Sequence, residues 1–112
     1  MKNSVIFVLV LLFASTGLLT RTAWSSTQAY DGVISDSMCG KKHMMPGKSD
    51  AQCIQECVKA GSKYVLVVGE KIYTLDARPQ TIAPFAGKHV LLQGELRGTA
   101  LSVQSIHEST RR

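Results

Sequence analysis

The hydrophobic pattern divides the chain in two. Val5 to Leu19 is an almost unbroken apolar run, interrupted only by Ser15, Thr16 and Gly17. Lys2 precedes it, and a polar, small-residue stretch from Thr20 to Ala29 follows. Positive start, apolar core and small-residue exit are the three parts of an export signal. The core falls short of the roughly twenty apolar residues of a membrane span, so cleavage is expected. Thr27-Gln28-Ala29 offers small residues at the two positions a signal peptidase reads, which places the cut after Ala29, with Ala23 and Ser25 as other sites. An uncleaved anchor is the competing reading. No cysteine follows the apolar run closely enough to become a lipidated first residue.

From residue 30 the pattern becomes that of a small globular domain, 30–112. Tyr30 to Met38 reads as a strand that runs into a loop, Gly40 to Lys48, with no apolar period. Ser49 and Gln52 form the S-x-x-Q of a capping box, and Gly61 stands where a helix would stop. The apolar stripe between them is Cys53, Ile54, Cys57 and Val58, whose four-residue spacing keeps both thiols on the core face. Lys63 to Val68, the turn Gly69-Glu70 and Lys71 to Leu75 predict a hairpin. Arg78 to Gly87, with two prolines around Ile82, Ala83 and Phe85, predicts one helical turn that plugs a sheet end. A second hairpin is expected from Val90 to Leu96 and Leu101 to Ile106 across Arg97-Gly98, with a bulge where the alternation slips between Val103 and Ile106. The expectation is a mainly β (α+β) domain: a small, five-stranded antiparallel, OB-like, partly open barrel with one helix of about three turns and one short helical turn. A helix-covered open sheet would use the same elements.

Length and charge narrow the function. Cleavage after Ala29 leaves 83 residues, near the lower limit for a fold held by its apolar core alone, so a staple is expected. Without Lys2 and Arg21, eleven basic residues face eight acidic ones, a net +3 spread along the chain. Only Lys41-Lys42 and Arg111-Arg112 are tight basic pairs, so no nucleic-acid partner is expected.

The dense cluster of reactive side chains is Cys39, His43, Met44 and Met45 in the loop, followed by Cys53 and Cys57 on the helix. Cys39, His43, Cys53 and Cys57 have the chemistry of a closed zinc site, and thiolate with thioether would also suit Cu(I). The Cys-x3-His and Cys-x3-Cys spacings are not those of common zinc knuckles. All three cysteines lie in the exported part, where unpaired thiols are uncommon, and their odd number asks for an explanation. A disulfide from Cys39 to Cys53 or Cys57, leaving the other thiol free, therefore competes with the metal site. It would stabilise the fold by about 3 kcal/mol. Residues four apart on a helix keep their Cβ atoms about 5–6 Å apart, too far for Cys53 to pair with Cys57. The methionines read first as loop packing, and His89 and His107 as surface residues. Asp36 is a turn former or an acceptor orienting His43. A thioredoxin-type Cys-x2-Cys, a phosphate loop, a nucleophile elbow and a working carboxylate pair are all missing from the sequence.

Asp36-Ser37-Met38-Cys39-Gly40, His43, Cys53, Cys57, Gly61 to Val67 and Gly87-Lys88-His89-Val90 together resemble a family of small exported bacterial domains of unknown function, of the acidobacterial type. The resemblance covers nearly the whole mature chain. It implies that Cys39, His43, Cys53 and Cys57 belong to one motif, without saying whether that motif holds a metal or a disulfide. The leading expectation is a secreted or periplasmic, non-enzymatic domain that binds one Zn or Cu ion through these four residues. The alternative is a disulfide-stapled module that binds a peptide, glycan or protein on a face carrying Tyr64, Tyr73 and Phe85. The same three aromatics would also fill a small barrel's core.

Overall fold

A computed structural model describes residues 26–42 and 46–110. The apolar leader, His43, Met44 and Met45 lie outside the described residues. In chain order the elements are β1 (Gln28–Asp36), α1 (Asp50–Lys59), β2 (Tyr64–Val68), β3 (Lys71–Asp76), α2 (Pro79–Ile82) continuing as a 3-10 turn over Ala83–Phe85, β4 (His89–Arg97) and β5 (Ala100–Glu108). The strands form a closed ring in the order β1, β2, β3, β5, β4.

Closure depends on β1 serving two neighbours in turn. Its first part pairs with β4, from Gln28 opposite Gly94 to Val33 opposite His89, and its second part pairs with β2, from Val33 opposite Val67 to Asp36 opposite Tyr64. Both expected hairpins are present, and β3 joins β5 over Thr74 to Asp76. That last pair is parallel, so the barrel is mixed rather than wholly antiparallel as expected. Local turn signals report only strands adjacent in sequence. The β3–β5 seam forms after α2 carries the chain across the barrel end, and no turn residue announces it. β1 is also displaced from its expected bounds, since it begins at Gln28 and ends at Asp36, leaving Met38 in the following turn.

Alternation along the strands fills the interior. Val90, Leu92 and Gly94 of β4 are buried, while His89, Leu91 and Gln93 between them are exposed. With Ile34, Leu66, Leu75 and Leu101, Val90 and Leu92 build the core, which Ile54 of α1 and Ile82 of α2 close from outside the sheet. Tyr64 is buried, and Tyr73 and Phe85 pack partly buried against the same core, so these three aromatics do not form an exposed binding face. Tyr73 also meets Tyr30 edge-on, with ring centroids 5.5 Å apart. The helical plug runs through two turns, 79–85, one more than the prolines suggest, because Pro79 and Pro84 each fall at the start of a turn, where no backbone N–H is needed.

Two glycines permit the strand crossings. A Cβ on Gly32 would lie 2.4 Å from the Val67 carbonyl oxygen, and one on Gly94 would lie 2.3 Å from that of Ser102. Gly94 sits where the β4–β5 register slips: Gln93 faces Ser105 and Gly94 faces Val103, leaving Gln104 as the extra residue of the expected bulge. Gly94→Ala should therefore lower the unfolding free energy by about 1–3 kcal/mol. Thermal melting followed by circular dichroism should show a midpoint several degrees lower. An unchanged midpoint would mean that β5 yields freely at its bulge.

Candidate metal centre

α1 holds two of the three thiols on a helix fixed at both ends. The Ser49 side chain accepts from the Gln52 N–H at 3.3 Å and the Gln52 side chain accepts from the Ser49 N–H at 3.1 Å, completing the capping box. At the other end the Ser62 N–H donates to Cys57 O and the Gly61 N–H to Val58 O, with Gly61 at φ +109°, the pairing of a Schellman motif. The residues this helix buries are Cys53, Ile54 and Cys57, with Cys53 only 1% and Cys57 6% exposed.

The third thiol arrives on the turn after β1. Asp36, fully buried, accepts through Oδ1 from the N–H groups of Met38 and Cys39, each at 3.0 Å, and from the Ser62 hydroxyl at 3.3 Å. The Gly40 N–H donates to Asp36 O, and the Ser35 hydroxyl to Gly40 O. Ser37 fastens the same corner to the entry of β2: its N–H donates to Lys63 O, and its hydroxyl accepts from the Lys63 N–H. Cys39 is thereby set against α1. The three sulfurs lie within 4.8 Å of one another, close enough to hold a metal ion, and Cys39 Sγ to Cys57 Sγ is 4.0 Å. No pair of sulfurs is at bonding distance, and all three cysteines are free thiols.

The sequence-predicted set is thus brought together at Cys39, Cys53 and Cys57, while His43 falls outside the described residues. On either side of it the loop is tied down by ion pairs, Lys41 to Glu70 at 2.6 Å and Lys48 to Glu56. These exposed pairs add little stability, although Lys41 holds the Glu70 carboxyl below its usual range through its hydrogen bond and charge. Of the two readings of Asp36, the turn former is seen. Its other oxygen, Oδ2, is buried and has no hydrogen-bond partner among the described residues. Ser62 was not legible as a site residue, because its contact with Asp36 spans 26 residues.

The electrostatics favour protonated thiols when no cation is present. Burial, the hydrogen bond with Cys57 and the Asp36 charge push the Cys39 thiol up to about 12. Cys57 is also raised, first by burial, against a lowering contribution from its hydrogen bond with Cys39. A cation would reverse this balance, because it binds the thiolates and displaces their protons. A separate recess of about 620 Å³, lined by residues including Asp76, Arg78 and Thr81, brings no thiol or imidazole to its wall.

Comparison with protein-family models, with curated proteins and with solved structures finds no match, so the site is read from its own geometry.

Asp36→Ala should cost about 2–4 kcal/mol, since it strands two backbone N–H groups, whereas Asp36→Asn, which keeps an acceptor oxygen, should cost less. Urea unfolding of both variants checks the order, and equal losses would place the contribution in the charge rather than in the turn. In metal-free reduced protein, alkylation of native Cys39 should keep accelerating with pH well above 9, where an unperturbed thiol has levelled off. Levelling near 9 in a peptide-resolved rate measurement would show that the burial does not control the thiol.

Proposed function

We propose that this chain is exported and that its mature domain binds one transition-metal ion, zinc or Cu(I), through Cys39, Cys53 and Cys57, with His43 as the fourth ligand. The observation that carries this reading is the convergence of three sulfurs within 4.8 Å, from a turn and a helix that are each held by their own hydrogen bonds. Zinc at about 2.3 Å from each thiolate in tetrahedral geometry requires sulfurs about 3.8 Å apart. Cys39 and Cys57, at 4.0 Å, nearly meet that requirement, and the remaining separations need only side-chain adjustments. Thiolates also suit Cu(I). In this reading the ion serves structure or metal handling, and it supplies the staple that a domain of this size needs.

Export rests on the leader pattern, Lys2 followed by Val5 to Leu19. Among the described residues no helix is long and apolar enough to cross a membrane. We place the cut at Ala23 or Ser25 rather than after Ala29. β1 already pairs at Gln28 and Ala29, and the Thr27 hydroxyl donates to Gln104 Oε1 at 3.0 Å, so the later cut would remove built parts of the barrel.

One observation favours a second reading, a Cys39–Cys57 disulfide stapling a binding module: these two sulfurs are 4.0 Å apart and need only a rotamer-scale movement to bond. Its binding face loses support, since Tyr64 is buried and Tyr73 and Phe85 pack on the core.

Intact-mass spectrometry of protein expressed to the periplasm, under native and then denaturing conditions with alkylation between, tests both. One bound ion, three alkylatable thiols and an N-terminus at Trp24 or Ser26 are expected. Cys39→Ser should lose the ion. A deficit of about 2 Da with one alkylatable thiol, and no ion taken up after reduction, would replace the metal function by the disulfide one.

A further inference from the structure

We infer that the metal-bound and disulfide forms are two states of this one site, so that a two-electron oxidation joining Cys39 to Cys57 ejects the ion. This inference rests on the proposed metal function and adds its regulation. The three sulfurs differ in ways that set an order of events. Cys39 is half-buried on a turn, whereas Cys53 and Cys57 are buried on a helix capped at both ends. Cys39 is therefore the sulfur that a dissolved oxidant reaches first. Its sulfur is already in contact with Cys57 at 4.0 Å. Bonding at about 2.05 Å requires an approach of about 2 Å, which side-chain rotation on the Cys39 turn supplies without moving α1. Cys53 and Cys57 cannot bond each other, because residues one helical turn apart hold their Cβ atoms too far apart. Cys53, the deeper of the two at 1% exposure, is the thiol left over.

The oxidant is a small-molecule disulfide. The Cys39 thiolate attacks one of its sulfurs, forming a mixed disulfide and releasing one small thiolate. The Cys57 thiolate then attacks Cys39 Sγ, forming the Sγ–Sγ bond and releasing the second small thiolate. Two cysteines are oxidised, one small disulfide is reduced to two thiolates, and the metal ion leaves with its charge unchanged. Two of its three sulfurs have been consumed in the bond, which leaves Cys53 and the proposed His43, two ligands where a tetrahedral site needs four. A dithiol reductant runs the exchange backwards and restores all three ligands.

The test uses the mature wild-type protein, reduced, loaded with Zn²⁺ and treated with oxidised glutathione in the presence of a colorimetric zinc indicator. One equivalent of zinc should be released in step with a mass loss of about 2 Da. Peptide mapping after alkylation should then find Cys39 joined to Cys57 and Cys53 alkylated, and dithiothreitol should restore zinc binding. In Cys57→Ser the exchange should stop at a glutathione adduct on Cys39. Zinc retained by protein that carries the bridge would overturn the inference, as would a Cys39–Cys53 bridge or zinc loss with all three thiols still alkylatable. If the reduced protein takes up neither Zn²⁺ nor Cu(I), the metal function itself fails, and that result is seen before any oxidant is added.

Discussion

Asp36 ends β1 with a fully buried carboxylate, and the arrangement of the thiols follows from what its Oδ1 holds. The N–H groups of Met38 and Cys39 fix the turn on which the first thiol stands, and the Ser62 hydroxyl brings in the segment that closes α1. Because the Ser62 N–H also donates to Cys57 O, one oxygen links both sides of the cluster through a single residue. Removing a carboxylate from water costs several kcal/mol unless its lone pairs are used. Oδ1 is fully engaged, while Oδ2 has no partner among the described residues. A buried carboxylate with one oxygen unpaired among the described residues lies beside Cys39 and Cys57, whose thiols burial raises, and a cation among the sulfurs would balance its charge.

The barrel explains why this corner can be rigid. β1 changes partners at Val33, from β4 to β2, and the glycine before that residue lets the Val67 carbonyl approach closer than any Cβ would allow. Beyond the change of partners only Ile34, Ser35 and Asp36 remain in the strand, all buried. The cluster therefore hangs from the end of a strand paired on both sides of its crossing point. Past Val33 the ladder of β1 runs with β2 alone, so the Ser37–Lys63 hydrogen bonds and those to Asp36 are what keep the Cys39 turn from fraying.

The sequence made the local features readable. Ser49 and Gln52 announce the capping box, Gly61 the helix stop, and Gly69-Glu70 the first hairpin turn, because each is decided by residues within a few positions of one another. The bulge at Gln104 was visible as a slip in alternation. The parallel β3–β5 seam, the start of β1 at Gln28 and the Ser62–Asp36 contact were not visible, because each depends on residues brought together only by closure of the ring. At the site, helical spacing placed Cys53 and Cys57 on the buried face. Their approach to Cys39 was a matter of chemical plausibility until the turn geometry supplied the distance.

Cys53 bears most on the choice between a metal site and a simple staple. A disulfide needs two cysteines, and Cys39 with Cys57 suffices for it. A third thiol at 1% exposure could serve as a small apolar filler, which is how buried free cysteines often behave. If the domain is exported as proposed, alanine or valine would fill the same place without the hazard of wrong pairing in an oxidising compartment. The cost of keeping a thiol there is balanced only if its sulfur is used, and a sulfur that no helix geometry lets bond to Cys57 is useful chiefly as a ligand. With Cys53 counted in, the odd number of cysteines ceases to be an anomaly under the proposed function: three sulfurs would hold an ion, and two of them would form a bond when the ion is gone.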